Sequence, residues 1–328
     1  MMGKIRVSLL GATGLVGQSM IRMLEEHPFI ELVKVSASPA KVGQRYCDSV
    51  RWVVGGGVPD YVCDMRLVST EPRDHKDVDV VLSALPNEVA ARVEDELVRS
   101  GVNVISNASP RRMDAGVPLI NPEINWQSLE QVRGRDAWLV KNPNCTTAII
   151  SLSLAPLAES LGRLFITTMQ SVSGAGYMGV PFLAINGNVI PYIKGEEEKI
   201  AAELGKIMGR EMDVHVTSTR VPVSYGHMAV IEAETELGLD DVVKALGSFT
   251  SFPQLHDLPS APRRPIILIN DIDGPQPMRD LNPMAVSVGR LSLRGGYLRM
   301  VVLGDNIVRG AAGITVLTLE TMREMKII

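Results

Sequence analysis

Ile5-Arg6-Val7-Ser8-Leu9-Leu10-Gly11-Ala12-Thr13-Gly14-Leu15-Val16-Gly17 decides the first half of the chain. The six residues from Ile5 read as a buried strand and the glycines as a turn. Ser19 to Glu26, with Met20, Ile21, Met23 and Leu24 apolar, reads as a helix. Strand, glycine-rich turn and helix in that order form the dinucleotide fingerprint, here as Gly-x-x-Gly-x-x-Gly. Gly11 permits the tight turn, Gly14 lets the backbone approach a pyrophosphate, and Gly17 lets the helix close on the strand. Thr13, Leu15 and Val16 complete the loop, and the helix N-terminus faces the phosphates. A βα turn that binds nothing is the bland alternative. The setting between strand and helix favours the cofactor.

Glu31 to Ser38 reads as the second strand. An acidic residue at its end would meet a ribose 2′-hydroxyl. The chain instead runs Ser36-Ala37-Ser38-Pro39-Ala40-Lys41, with no Asp or Glu until Asp48. Ser36, Ser38 and Lys41 suit a 2′-phosphate, so the expected cofactor is NADP. Short strands follow at Met65–Val68, Val78–Leu82 and Val102–Ile105, with a helix from about Asn87 to Ser100. This alternation predicts a Rossmann-type parallel sheet with helices on both faces, an α/β domain over residues 1–144. Ligands bind at the carboxyl ends of such strands, where Arg111 and Arg112 follow Ser106-Asn107-Ala108-Ser109-Pro110.

Lys141-Asn142-Pro143-Asn144-Cys145-Thr146-Thr147 precedes an apolar run to Leu154. Asn144 is a good helix cap, which makes Cys145 the first residue of a helix reaching about Ser160. Unpaired N–H groups and partial positive charge at a helix start favour a thiolate and can hold an oxyanion beside it. Cys145 is therefore a candidate nucleophile, set against the commoner reading of a small buried hydrophobe. Strands beyond it follow one another with few crossovers: Leu164–Val172, Asp213–Val221, Met228–Ala233 and a hairpin turning at Arg294-Gly295-Gly296. They predict a second domain of α+β type, residues 145–305, with a mostly antiparallel or mixed sheet. A small-residue helix from Asn306 to residue 328 is expected to complete the first domain. Among five histidines, His227 sits in a loop between two strands, where catalytic residues concentrate. It is the candidate acid/base. His27, His75 and His256 lie in loop or polar contexts, and His215 reads as structural.

Composition excludes other classes. The 328 residues carry a net charge of −4, so no basic excess points to nucleic acid. No run of about 18 apolar residues suggests a membrane span. The start has no signal-peptide pattern. Three cysteines, Cys47, Cys63 and Cys145, suggest a reduced compartment without a disulfide framework, hence a cytoplasmic protein. No zinc-like spacing occurs, and no metal is expected.

Gly11 to Gly17, Ser106-Asn107-Ala108-Ser109, Asn142 to Thr147, Ser173-Gly174-Ala175-Gly176-Tyr177, Gly195-Glu196-Glu197-Glu198-Lys199 and Asn306 to Gly313 occur in an order that resembles the aspartate-semialdehyde dehydrogenases of the archaeal and fungal branch. The resemblance covers nearly the whole chain. It implies reduction of L-aspartyl 4-phosphate by NADPH to L-aspartate 4-semialdehyde, a step toward lysine, threonine and methionine, through a thioester on Cys145. It implies His227 as acid/base and Gln170 beside the thioester. Arg220 would pair with the substrate carboxylate and Glu196 with its ammonium group. Arg112, Asn144 and Lys199 would bind phosphate. Ser83, Ser173, Gly174 and Asn306 would line the cofactor cleft. The family is dimeric or a pair of dimers. Met228, Phe182 and Ala184 depart from the usual residues. The branch also holds malonyl-CoA and succinyl-CoA reductases, which use the same thioester logic with a CoA thiolate leaving.

Overall fold

The computed structural model describes residues 3–328. Six strands make the first sheet: β1 (Ile5–Leu10), β2 (Ile30–Ser36), β3 (Leu67–Val68), β4 (Val80–Ser83), β5 (Val104–Ser106) and β6 (Leu139–Lys141). They are all parallel, in the order β3-β2-β1-β4-β5-β6. Every residue of β1 except Arg6 is buried, as a central strand covered on both faces requires. Side chains on β4 alternate: Val80 and Leu82 enter one core, Val81 the other. The first core also takes Met20 and Ile21 of α1 (Leu15–Leu24) and Val316, Leu319 and Met322 of the C-terminal helix Gly313–Glu324. The second takes Val93 and Leu97 of α2 (Asn87–Arg99). Each such side chain contributes about 1.5–3 kcal/mol by burial.

The second sheet contains β7 (Leu161–Gln170), β8 (Val214–Arg220), β9 (His227–Thr235), β10 (Ile266–Ile269), β11 (Val286–Arg294) and β12 (Tyr297–Gly304). Its order is β10-β11-β12-β9-β7-β8. It is mixed: β7 and β8 are parallel, as are β10 and β11, while the other neighbours are antiparallel. One face packs on α3 (Cys145–Leu154), α4 (Glu196–Met208) and α5 (Leu239–Ser248) through residues such as Ile150, Leu204, Leu246, Ile231 and Met300. Alternate residues on the other face, including Phe165 and Glu232, are exposed.

The chain divides into two compact units. The first holds the described residues up to Ile120, Gln127–Asn142 and Ala312–Ile328; the second holds Asn121–Trp126 and Pro143–Ala311. These bounds differ from the expected ones at 143–144, where Asn144 is bound to Glu196 and Glu203, and at 121–126 and 306–311. The reason for the last two is a buried cluster: Arg309 donates to Glu123 at 2.7 Å and to Asn121 at 2.5 Å, which ties both segments to the second unit. Arg309 lies in a π-helical turn, Val308–Ala312, that precedes the C-terminal helix.

One expectation is overturned. Cys47 and Cys63 are disulfide-bonded, with Cα atoms 4.8 Å apart. They lie 16 residues apart on the one-turn helices Tyr46–Ser49 and Asp60–Cys63, and folding of the intervening loop brings them together. Among the described residues no helix is long and apolar enough to cross a membrane.

Candidate active site

One end of the second sheet collects the chemistry. Gln170, last in β7, is paired with Arg220, last in β8. His227 opens β9 and is paired with Gly304, which closes β12. Strand direction alone therefore brings four distant chain segments together. Helix α3 packs against the same end, since a Cβ on Gly304 would fall 2.7 Å from Ile149.

Helix α3 begins at Cys145 with Asn144 as its cap. Asn144 Oδ1 accepts from the N–H groups of Thr146 (2.9 Å) and Thr147 (3.3 Å). These two donors, expected to serve an oxyanion, are therefore already engaged. Gly310 of the π-helical turn packs directly on the cysteine: a Cβ there would lie 2.6 Å from Cys145 Cβ.

Glu196, first in α4, lies beside the cap. Asn144 Nδ2 donates to both its carboxylate oxygens at 3.0 Å. Gln170 Nε2 donates to it at 3.4 Å, and Lys199 Nζ stands 3.5 Å away, one turn along the helix. Gln170 and Glu196 are buried, while Lys199 is partly exposed. Two turns after Glu196 on the same helix, buried Glu203 accepts from the Asn144 backbone N–H at 2.6 Å. The sequence reading passed over Glu203. Its spacing of seven from Glu196, on one helical face, is the signal that could have found it.

His227 is buried, with its Nδ1 3.1 Å from both the backbone N and Oγ of Ser171. Its Nε2 has no protein partner. Burial pushes its pKa from 6.5 down to about 3, helped by the positive charge of Arg220 and opposed by the Gly226 backbone. The imidazole is thus neutral at pH 7. Arg220 is also buried and donates to the Ser171 carbonyl at 2.7 Å. Burial lowers its pKa, and the charges of Cys145 and Glu196 act in the opposite direction. Gly174 lies over this pair: a Cβ there would fall 2.7 Å from Arg220 Nη1 and 2.9 Å from His227 Nε2. Asn306 is buried among hydrogen bonds to this loop. Its Oδ1 accepts from Gly226 N at 3.0 Å and Ser171 Oγ at 3.1 Å, and its Nδ2 donates to Ser173 Oγ at 3.0 Å. Asn306 and Ser173 thus hold the His227 loop in this structure.

In the first unit the glycine loop joins β1 to α1 as expected. Gly11 has φ +71°, and a Cβ on it would strike the Ala84 carbonyl at 2.5 Å. A Cβ on Gly14 would have only the Gly11 carbonyl near it, at 3.4 Å, so the loop is open there to a ligand's approach. Gly14 is exposed, Thr13 and Val16 are half-buried, and Leu15 and Gly17 are buried. Ser38 is exposed after β2, and Lys41 Nζ donates to the Ser49 carbonyl at 2.9 Å. Two hydroxyls differ from expectation. Ser36 is fully buried and donates to the Ser69 carbonyl at 3.2 Å. Ser83 is fully buried and donates to Glu94 at 2.7 Å. Neither points into open space, because each is the inward residue at the end of a central strand. Glu94 also accepts from Ser106 at 2.6 Å and forms a buried ion pair with Lys141. Arg112 is buried and donates to the Asn107 carbonyl at 2.5 Å, whereas Arg111 pairs with Asp95 and Asp114.

The other histidines have separate partners. His27 meets Glu320 at 2.9 Å, and His75 meets Ser8 Oγ and the Ser69 carbonyl, each at 2.9 Å. His215 is exposed beside Asp213, and the His256 ring packs on Phe252.

The dinucleotide loop on a parallel sheet, joined in one chain to this mixed-sheet unit, defines the class: a nicotinamide-dependent oxidoreductase. Residues 6–132 match the family described as semialdehyde dehydrogenase, NAD binding domain, and residues 154–309 its dimerisation domain. The chain belongs to the aspartate-semialdehyde dehydrogenase family, and is an oxidoreductase whose first unit is a nicotinamide-dinucleotide-binding domain. It is 44% identical to the aspartate-semialdehyde dehydrogenase of Archaeoglobus fulgidus, over 98% of this chain and 99% of that one. It is 36% identical to the malonyl CoA reductase (NADP) of Metallosphaera sedula, over 98% and 97% of the two chains. The crystal structure of aspartate semialdehyde dehydrogenase with NADP from Candida albicans superposes with a TM-score of 0.92 at 30% identity, covering 99% of this chain and 100% of that one.

Proposed function

We propose that the protein reduces L-aspartyl 4-phosphate with NADPH to L-aspartate 4-semialdehyde and phosphate through a thioester on Cys145. The observation that carries this reading is the second unit's sheet end, where a buried neutral His227 with an unpartnered Nε2 and a buried Arg220 gather by the cysteine at the start of α3. The 44% identity to an archaeal aspartate-semialdehyde dehydrogenase supports the substrate.

Cys145 passes its thiol proton to His227 Nε2 and attacks the acyl carbon as a thiolate, and phosphate leaves as the carbon–sulfur bond is kept. Thr146 and Thr147 N–H are held by Asn144, so the oxyanion takes its hydrogen bond from His227 Nε2–H. Gln170 orients the acyl group. Glu196 receives the substrate ammonium, and Arg220 offers a bidentate fork to the α-carboxylate. Asn144 and Lys199 bind the phosphate. NADPH supplies the hydride that converts the thioester carbon to the aldehyde level. His227, charged by the proton it took from Cys145, gives that proton to the resulting oxyanion and takes it back as the Cys145 thiolate leaves with the aldehyde free. The open face of the loop at Gly14, with Ser38 and Lys41 at the end of β2, fits NADP. We further propose a homodimer or homotetramer in the pathway to lysine, threonine and methionine, and place the enzyme in the cytoplasm on its likeness to aspartate-semialdehyde dehydrogenases rather than on its cysteines, two of which are bonded. The second sheet's exposed face lies in the stretch matched as a dimerisation domain.

Purified protein is expected to oxidise aspartate semialdehyde with NADP⁺ only when phosphate or arsenate is present. A requirement for CoA in its place supports the second reading, a malonyl-CoA or succinyl-CoA reductase, which the 36% identity to the Metallosphaera sedula enzyme keeps in view. Cys145→Ser is expected to abolish turnover and leave cofactor binding intact.

A further inference from the structure

The two contacts at His227 Nδ1 have opposite requirements. The Ser171 N–H, 3.1 Å away, needs a lone pair on Nδ1, and with it the ring proton sits on Nε2. In that state His227 can donate at Nε2 but cannot take a proton there. To accept one, the ring must carry hydrogen on Nδ1, and that N–H needs an acceptor. Ser171 Oγ, also 3.1 Å from Nδ1, is that acceptor. Its own proton has a place to go, because Asn306 Oδ1 lies 3.1 Å away and is held there by Gly226 N–H.

We propose that Ser171 is a positioning residue for the acid/base step: its hydroxyl accepts from His227 Nδ1–H whenever Nε2 is the proton acceptor, and passes its own hydrogen bond to Asn306. The proposal rests on the role of His227 given above. The step balances simply. A bond from hydrogen to oxygen or sulfur breaks, a bond from Nε2 to that hydrogen forms, and the ring charge rises by one while the donor's falls by one. The backbone N–H serves the neutral ring and the hydroxyl serves the charged one. One residue thus offers a partner to both states of a histidine buried among few polar groups. The charged group that acts on the ring is Arg220 from β8, which in turn feels Cys145 from α3 and Glu196 from α4. Ser171 supplies both the N–H and the hydroxyl that lie within hydrogen-bond distance of Nδ1.

The test compares Ser171→Ala, Ser171→Thr and His227→Gln in the full-length enzyme. A hydrogen bond to a charged group corresponds to about a ten- to hundredfold effect on rate. Ser171→Ala is expected to lower kcat by that factor, with KM for aspartate semialdehyde and NADP⁺ affinity within about twofold. The acid limb of its pH profile is expected to move to lower pH, because the protonated ring loses its acceptor. Ser171→Thr, which keeps the hydroxyl, is expected to restore both rate and profile. If Ser171→Ala does not fold, Ser171→Gly removes the same hydroxyl and keeps the backbone N–H. The proposal is overturned if the alanine and glycine variants keep the wild-type rate and profile while His227→Gln is inactive. It is also overturned if Ser171→Thr loses as much as Ser171→Ala with no change in pH profile, the signature of a packing role. Full activity in His227→Gln overturns it by removing the acid/base role beneath it.

Discussion

Gly310→Ala tests how closely the π-helical turn fixes the nucleophile. The added Cβ would lie 2.6 Å from Cys145 Cβ and 3.0 Å from its Cα. Carbon atoms normally rest about 3.5–4.0 Å apart, so the two segments must separate by about 1 Å. The turn resists moving. Arg309 is bound to Glu123 and Asn121, and Asp305 Oδ1 accepts from the N–H groups of Ile307 (2.8 Å) and Val308 (2.7 Å). The displacement therefore falls largely on the start of α3. A misplacement of about 1 Å costs about a hundredfold in rate, or roughly 2.7 kcal/mol of transition-state stabilisation. Overpacking should cost a further 1–3 kcal/mol or so of folding stability. The assay is kcat for NADP⁺-dependent, phosphate-dependent oxidation of aspartate semialdehyde. The alkylation rate of Cys145 and thermal unfolding are measured beside it. A folded Gly310→Ala enzyme with kcat and alkylation within twofold of wild type refutes the reasoning, because the segments would then have parted without disturbing the sulfur.

Glu203→Ala leaves the buried Asn144 N–H without its carboxylate, and is expected to cost about 1–3 kcal/mol in urea unfolding together with a loss of kcat. An unchanged midpoint would show that another group takes over. Lys141→Met strands Glu94 as a buried charge and is expected to cost about 3–5 kcal/mol; Lys141→Met with Glu94→Leu should recover part of it, and strictly additive losses would argue against a coupled pair. The depressed pKa of His227 has a stability consequence. The unfolded ring takes up a proton near pH 6.5 and the folded ring only near pH 3, so its contribution is complete above 6.5 and is lost as pH falls toward 3. The slope is about 1.4 kcal/mol per pH unit for one proton. His227→Gln should flatten the wild-type decline by that amount between pH 6 and 4, and parallel curves would contradict a neutral buried ring.

The sequence by itself determined the nearest-neighbour features, because they depend on local chemistry. A buried strand, three glycines and an amphipathic helix have one common geometry, and Gly11 to Gly17 adopt it. Asn144 before an apolar run caps a helix wherever that run is buried, so Cys145 could be placed at the helix start without coordinates. Alternation of strand and helix likewise announced the parallel sheet, and successive strands the mixed one. What the sequence could not give was direction and partnership across distance. Ser36 and Ser83 look available as letters, but strand alternation turns both hydroxyls inward. Cys47 and Cys63 read as two unrelated thiols until the loop between them folds back. Thr146 and Thr147 carry N–H groups that a helix start should leave open, yet the Asn144 side chain occupies both. Ser171 and Gly310 became legible only when the segment after β7 and the π-helical turn met at the sheet end, whereas Glu203 was signalled by its spacing from Glu196. A side chain's chemistry is set by its type, but its protonation and its reach depend on which atoms surround it, and those come from chain segments tens to hundreds of residues away.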